Sequence, residues 1–309
     1  MPSFYTFLVL LSSMLPAYGQ YEIAYVRPAQ PLAPPQSSSV ALTADESLAL
    51  PLLQVKSLLL VEASLGTAEG YYLFDTGAPG LLLNETYVEH AGGRSLPDAV
   101  VDGATGAANV GRVLLPDFRL GGLRQRGVRA YVLTLDYLSE ALGYEILGIV
   151  GRQQFDNVVV HLDARRSRLT FLEAFGERDA AHEIRFGFEG HIPRLYARLD
   201  GLPVDLGFDT AAGIGVLDEA TYARLRERSR APESAIAIRG FGAVVDSTRR
   251  QRVRLVEVAD GNWHDIAFAA VPRERFLDHG LRLNGLLGAD WLARKEIVLD
   301  YRAGRLYIL

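Results

Sequence analysis

Short runs of alternating apolar and polar residues recur along most of the chain, and this period predicts strands more often than helices. Two such runs, Leu58–Leu65 and 71–74, flank a glycine-containing turn and predict a hairpin. A second predicted hairpin joins 195–199 to Leu202–Phe208 through Asp200-Gly201, a dipeptide that favours a two-residue turn. Each hairpin ends in the same three residues, Phe-Asp-Thr.

A few short helices are predicted between the strands. Asn84 and Asp218 are candidate N-caps, and Gly92 is a candidate helix stop. A further short helix is predicted near 136–142, and its counterpart near 273–279, each ending before a glycine. The pattern therefore predicts an all-β fold class with a few short helices.

The chain contains an internal repeat. Residues 148–172 and 285–309 share eight identities at a constant offset of 137, among them Gly151/Gly288 and Asp163/Asp300. The two Phe-Asp-Thr stretches lie 134 positions apart in the same order. A duplicated domain explains both offsets, so we predict two similar lobes, at 48–175 and 182–309.

The N-terminal 47 residues have a different composition. Residues 4–15 are apolar and followed by small residues at 17 and 19, which predicts an export signal at 1–19 and a secreted or periplasmic protein. The first residues carry no Lys or Arg, which leaves an uncleaved anchor or a misassigned start as alternatives. Residues 20–47 are rich in Pro and Ser and are predicted to be a linker or a pro-segment. After signal removal no stable membrane insertion is expected.

Composition excludes several classes of chemistry. The net charge of −5 gives no reason to expect nucleic acid as a partner. The absence of cysteine excludes disulfides, thiolate catalysis and cysteine-based metal sites. The six histidines show no tight metal-ligand spacing and are predicted to be surface or strand residues, so no metal and no cofactor is predicted.

Asp75 and Asp209 end apolar strands, where an isolated carboxylate would be costly because burial disfavours its charged form. Two such carboxyl groups facing each other would instead share one proton. The ionised member could take a proton from water and the neutral member could donate to a carbonyl oxygen, which is general acid–base hydrolysis. The hydroxyls of Thr76 and Thr210 could brace the two loops, and Gly77 would allow close backbone approach.

These motifs resemble the retropepsin/pepsin clan of aspartic proteases. The first copy matches through Asp75-Thr76-Gly77-Ala78 and Ile149-Val150-Gly151, and the second through Asp209-Thr210 and Leu286-Leu287-Gly288. The match spans roughly 48–309 and is most similar to the bacterial secreted group with two retropepsin-like lobes in one chain. In that clan a pair of Asp residues is the known example of proton sharing.

The resemblance implies a bilobal aspartic endopeptidase with Asp75 and Asp209 as the catalytic pair. It also implies a peptide or protein substrate and a monomer that forms an intramolecular pseudo-dimer. A flap, a hairpin closing over the substrate, would have its tip near Thr105 and Gly106 in the first lobe. In the second lobe the tip would lie near Phe241 and Gly242.

One departure from the family pattern supports an alternative. The second motif reads Asp-Thr-Ala-Ala, so Ala211 places a Cβ where the family usually has glycine. If that position needs a positive φ or very close backbone approach, alanine would distort the pair. The alternatives are a catalytically inactive peptide- or cell-wall-binding module on the same fold, and a purely structural secreted domain.

Overall fold

The computed structural model describes residues 20–21, 27–28, 37–40, 49–103, 106–176, 180–229, 231–240, 243–272, 281–292 and 295–309. The predicted export signal, the predicted helix at 273–279, and the flap residues Thr105, Phe241 and Gly242 lie outside these ranges. Across the described ranges no helix combines the length and the apolar character needed to span a bilayer.

Strands dominate the described residues, and the helices among them are short, so the predicted all-β fold class is confirmed. The strands are β1 Gln20–Tyr21, β2 Arg27–Pro28, β3 Ser37–Val40, β4 Leu50–Val55, β5 Leu58–Leu65, β6 Ala68–Phe74, β7 Leu81–Asn84, β8 Arg94–Gly103, β9 Gly106–Leu120, β10 Leu123–Leu133, β11 Ile146–Val150, β12 Val159–Asp163, β13 Arg168–Leu172, β14 His182–Arg185, β15 Gly187–Glu189, β16 Ile192–Leu199, β17 Leu202–Phe208, β18 Gly215–Asp218, β19 Glu233–Gly240, β20 Ala243–Val258, β21 Gly261–Val271, β22 Gly285–Leu287, β23 Glu296–Asp300 and β24 Arg305–Ile308. The helices are α1 Asp136–Leu142, α2 Arg152–Phe155 and α3 Glu219–Arg228, with 3₁₀ helices at Glu85–Ala91 and Ala289–Leu292.

The two halves of the chain repeat one strand arrangement. In the first half β11 lies between β6, to which it is parallel, and β7, to which it is antiparallel. In the second half β22 lies in the same way between β17 and β18. The inserted strands need glycine, since a Cβ on Gly148 would lie 2.2 Å from the Leu82 carbonyl oxygen and one on Gly285 would lie 2.0 Å from that of Val216. Gly148 and Gly285 occupy equivalent positions of the sequence repeat, and at each a neighbouring strand lies too close to leave room for a side chain.

The closing hairpins of the two lobes join in one sheet. Strand β12 pairs antiparallel with β23, with His161 opposite Val298, and the partner strands β13 and β24 flank the pair. One hydrophobic core cluster contains buried residues of both halves, from Leu52 to Ile308. The lobes are therefore connected by backbone pairing and by a shared core.

The structure agrees with most of the turns and helix ends that were predicted from local sequence. Asp200 and Gly201 both have positive φ, 45° and 78°, as the predicted two-residue turn requires. Gly92 and Gly143 end their helices in the left-handed conformation, and Asp218 caps α3 by accepting from the Thr221 N–H at 2.9 Å. Asn84 also occupies its predicted N-cap position, but without a capping hydrogen bond.

Asn84 begins a 3₁₀ helix but makes no capping hydrogen bond. Its side chain is buried and is used by tertiary contacts instead. The amide donates to Asp136 Oδ1 at 2.9 Å and to the Ile146 carbonyl oxygen at 3.1 Å, and Asn84 Oδ1 accepts from the Leu135 N–H. These partners satisfy a buried amide better than a cap exposed at the surface would.

Two long pairs of strands include the described residues on either side of the predicted flap positions. In β8–β9 the last pair before the tip is Gly103 with Gly106, and in β19–β20 it is Gly240 with Ala243. The N-terminal strands lie beside these hairpins. Strand β1 runs parallel to β19, toward its tip, and β2 runs antiparallel to β8, away from its tip. Only five residues separate β1 from β2, so these two paired segments lie within about 22 Å of each other.

Candidate active site

Asp75 and Asp209 occupy equivalent places, each directly after the strand that ends in Phe. The Asp75 N–H donates to the Val150 carbonyl oxygen at 3.0 Å, and the Asp209 N–H donates to that of Leu287 at 3.1 Å. Each acceptor lies on the inserted glycine-containing strand of its own lobe. The backbone of each aspartate is thus fixed by the same β-sheet element.

The loop after each aspartate directs N–H groups at the carboxyl group. Gly77 N–H donates to Asp75 Oδ1 at 2.7 Å. Ala211 and Ala212 N–H groups donate to Asp209 Oδ1 at 2.8 and 3.2 Å. These hydrogen bonds hold one oxygen of each carboxyl group and stabilise a negative charge on it.

The two carboxyl groups meet between the lobes. Asp75 and Asp209 are only 3% and 4% exposed, and a hydrogen bond joins their side chains. A Cβ on Gly77 would lie 2.7 Å from Asp209 Cγ. This position therefore requires glycine because the carboxyl group of the other lobe occupies the space.

Burial raises the pKa of Asp75 well above its ordinary value, and the charge of Asp209 and the hydrogen bond between the two carboxyl groups raise it further. The N–H groups of Gly77 and Ala78 oppose these effects. Burial also raises the pKa of Asp209, although the N–H groups of Ala211 and Ala212 and the hydrogen bond with Asp75 lower it. The pair therefore retains one proton to a higher pH than an isolated carboxyl group, and that proton belongs to both residues.

The threonines next to the aspartates link the two loops. Thr76 Oγ1 donates to the Phe208 carbonyl oxygen at 2.8 Å, and Thr210 Oγ1 donates to that of Phe74 at 2.7 Å. Each hydroxyl also accepts from the other threonine's N–H at 3.1 Å. All four groups are buried, so these hydrogen bonds link the two loops across the lobes.

The comparison with known proteins agrees with this duplicated arrangement. The family model described as aspartyl protease matches residues 61–153 and again 195–291. The chain belongs to the aspartyl protease family. The two matched regions begin 134 residues apart, which is also the separation of Thr76 from Thr210. The duplication and the clan resemblance seen in the sequence are therefore confirmed.

Among solved structures, this aspartyl protease family member is similar to Basic 7S globulin from soybean. The two chains are 12% identical with a TM-score of 0.49, over 84% of this chain and 94% of that chain. No curated protein matches the chain at a significant level.

Ala211, the departure from the family's usual glycine, fits its place without a strained backbone. Its φ is not positive, and its N–H keeps the hydrogen bond to Asp209. The residue is fully buried and packs with an apolar cluster of the first lobe that includes Ala78 and Ile149. The extra methyl group is thus accommodated by apolar neighbours.

The other predicted positions are placed as follows. Gly106 begins β9 at the tip of the first hairpin, and Thr105, Phe241 and Gly242 lie outside the described residues. Asp163 and Asp300 end closing-hairpin strands and accept turn N–H groups, from Arg165 and Ala303 respectively, both at 3.0 Å. Among the described residues, no group of three or more His, Asp or Glu could hold a metal ion.

Sequence reasoning missed His191. This half-buried residue lies in the turn before β16, and its Nε2 is 2.6 Å from the Gly77 carbonyl oxygen of the opposite lobe. A signal existed in the spacing, because His191 precedes Asp209 by 18 residues and Ser57 precedes Asp75 by the same number. Ser57 also reaches the other lobe, where its hydroxyl donates to the Gly213 carbonyl oxygen at 2.6 Å.

Proposed function

We propose that this protein is an aspartic endopeptidase that hydrolyses peptide bonds with a water molecule activated between Asp75 and Asp209. The observation that carries the proposal is the buried, hydrogen-bonded pair of carboxyl groups contributed by matched loops of the two lobes. Membership of the aspartyl protease family supports it.

The proposed reaction uses the shared proton. The ionised carboxylate takes a proton from water as the water oxygen attacks the peptide carbonyl carbon. The protonated carboxyl group donates its proton to the carbonyl oxygen, so a neutral tetrahedral diol forms. Collapse of the diol expels the amine, which leaves with a proton from the carboxyl group that took one from water. One diol hydroxyl returns its proton to the other carboxylate as its oxygen becomes the new carbonyl oxygen, so the pair again holds a single proton. Neither aspartate is assigned permanently as acid or base, since the proton belongs to the pair.

We propose that the substrate is an extended peptide that pairs with the β8–β9 and β19–β20 hairpins. Both hairpins already accept backbone pairing from β1 and β2. Strand addition to such edges supplies affinity through main-chain hydrogen bonds. The direction of β1 and β2 leads the chain from one hairpin tip to the other, which supports a pro-segment role for residues 20–47.

We further propose that the protein is exported and acts as a monomer. The apolar segment with small residues at 17 and 19 supports export. A single chain supplies both aspartates, so the proposed chemistry needs no second copy.

The first prediction is that Asp75→Asn and Asp209→Asn each abolish peptide cleavage. Asparagine cannot take up or release the proton, so we expect turnover to fall at least about 1,000-fold. Cleavage of a peptide library is measured from pH 3 to 7. Asp300→Asn makes the same chemical change at a hairpin turn and should leave turnover within about twofold of the wild type. Unchanged turnover in Asp75→Asn would eliminate the mechanism.

The rival function is a peptide-binding module that has lost catalysis, and Ala211 is the observation that favours it. Ala211→Gly separates the two functions. The endopeptidase predicts an active wild type and a variant of similar activity, because Ala211 already donates its N–H to Asp209. An inert wild type that binds peptides, together with an active Ala211→Gly variant, would favour the module.

A further inference from the structure

The turn before β16 contacts the loop that follows Asp75 in the opposite lobe. His191 Nε2 lies 2.6 Å from the Gly77 carbonyl oxygen, across 114 residues of sequence. A carbonyl oxygen only accepts hydrogen bonds, so His191 Nε2 carries the proton and donates it. Gly77 and Asp75 are two residues apart, so the histidine contacts the loop that follows Asp75.

The accepting carbonyl belongs to the residue that binds the Asp75 carboxyl group. The Gly77 N–H donates to Asp75 Oδ1 at 2.7 Å, while the next N–H, that of Ala78, donates to the main-chain carbonyl oxygen of Asp75 at 3.4 Å. A donor that fixes the Gly77 carbonyl therefore also helps to fix the N–H group that stabilises a negative charge on Asp75.

The surroundings of His191 keep the imidazole neutral. Burial lowers the pKa of His191 to about 4, and the nearby charge of Arg152 lowers it further, while the bond to Gly77 opposes both effects. Arg152 is itself fixed, because its guanidinium lies 3.7 Å from the centre of the Phe188 ring and donates to the Gly190 carbonyl oxygen at 3.1 Å. It also pairs with Asp156 at 2.9 Å. Above pH 5 the histidine is thus a constant donor.

Ser57, at the equivalent place before Asp75, makes a different contact. Its hydroxyl donates to Gly213, four residues after Asp209, whereas the N–H groups on the Asp209 carboxyl come from Ala211 and Ala212. The Ser57 bond is equally short and also crosses between the lobes. Unlike His191, it does not hold one of the residues whose N–H groups bind the carboxyl pair, which makes Ser57 a matched control.

We propose that His191 is a positioning residue for the carboxyl pair: its Nε2–H bond to the Gly77 carbonyl of the opposite lobe holds the Gly77 N–H in place on Asp75 Oδ1. The proposal rests on the proposed function. It adds a residue of the second lobe that adjusts the proton affinity of the first lobe's aspartate.

The test follows the titration of the Asp75 and Asp209 carboxyl carbons by ¹³C NMR between pH 5 and 8, which needs no turnover. His191→Leu removes the donor, and we expect the titration of the pair to move up by about half a pH unit. His191→Gln retains an N–H donor and should restore most of the wild-type titration. Ser57→Ala should leave the titration unmoved. If cleavage is observed, His191→Leu should lower kcat about threefold while KM stays within twofold.

The outcomes are distinguishable. Unmoved titration in His191→Leu, or an equal movement in Ser57→Ala, would overturn the proposal and reduce His191 to a contact between lobes. A shifted titration in a protein that cleaves no peptide would support the positioning role and contradict the proposed function. If His191→Leu does not fold, His191→Asn takes its place as the variant without a donor, because the asparagine amide is too short to reach the Gly77 carbonyl. The carboxyl pair in His191→Asn must then titrate at a higher pH than the pair in His191→Gln.

Discussion

At the residue scale, the proton between Asp75 and Asp209 is a consequence of burial. Two negative charges in this position would lie close together with almost no access to solvent, so the pair keeps a proton that exposed carboxyl groups would release. The N–H groups of the two loops stabilise the single charge that remains. Burial and loop geometry thus favour the singly protonated state.

This retained proton makes the stability of the protein depend on pH. The pKa of Asp75 in the folded protein lies well above its ordinary value of 3.8, so the folded state binds a proton that the unfolded state releases above about pH 4. The free energy of unfolding should fall by about 1.4 kcal/mol per pH unit for this proton as the pH rises from 4 toward the folded pKa. Asp75→Asn should lose this slope and be more stable than the wild type at pH 7.

Urea unfolding at pH 4, 5, 6 and 7 measures the slope for the wild type and Asp75→Asn. Asp300→Asn, with the same change at a hairpin turn, should keep the wild-type slope. Equal slopes in the wild type and Asp75→Asn would show that the carboxyl pair does not hold the extra proton.

The sequence identified the aspartates because each ends a repeated strand, whereas the matched spacing of His191 and Ser57 from these aspartates does not show what either residue contacts. The histidine contacts Gly77, which is 114 residues away, and a single histidine forms no motif. Its role depends on how the two lobes dock, and residue pattern alone does not describe docking. The effect of Ala211 was also unpredictable, since it depends on the first lobe's apolar residues around its methyl group.

At the element scale, features that depend on local backbone geometry were predicted well. The Asp200-Gly201 turn and the helix ending at Gly143 follow from residues that adopt positive φ easily. Features that depend on a distant partner were not predicted. Strands β1, β2 and β3 lie in a Pro- and Ser-rich segment without alternation, and their strand form comes from pairing with β19, β8 and β10.

These N-terminal strands lead to a prediction about access to the hairpins. We expect that a specific protease site inserted between residues 40 and 49, once cut, lowers the KM for an extended peptide at least about threefold. The reason is that β1 and β2 occupy the hairpin edges. While they remain covalently attached, they compete with the added peptide for these edges at a high effective concentration. Kinetics before and after cutting measure the change.

A synthetic peptide of residues 20–28, added to the cut protein, should raise the KM again if these residues are the competitor. The inserted site left uncut is the control for the insertion itself. An unchanged KM after cutting and removal of the released segment would assign residues 20–47 a spacer role instead.

At the scale of the whole molecule, the two lobes are joined by strand pairing, buried hydrogen bonds and a common core, so they are not independent units. The β12–β23 ladder joins five residue pairs. The side chain of Glu296, a residue of this ladder, also lies within hydrogen-bond distance of His161 of the other lobe, with 3.0 Å between Oε1 and Nε2. The buried threonine network crosses between the lobes a second time. One core cluster contains residues of both halves. Unfolding one lobe would therefore expose apolar surface and unpaired backbone on the other.

Cooperative unfolding of the two lobes can be tested because both tryptophans, Trp263 and Trp291, lie in the second lobe with ring centres 5.1 Å apart. Leu83 is fully buried in the first lobe, and Leu83→Ala should cost about 2–5 kcal/mol. If the lobes unfold together, this change lowers the urea midpoint of tryptophan fluorescence as much as that of far-ultraviolet circular dichroism. Tyr196→Ala, at a second-lobe side chain that is 60% exposed, should barely move either midpoint. A fluorescence midpoint that stays fixed in Leu83→Ala would mean that the second lobe is stable alone, and that the interlobe ladder and threonine bonds contribute little to holding Asp75 against Asp209.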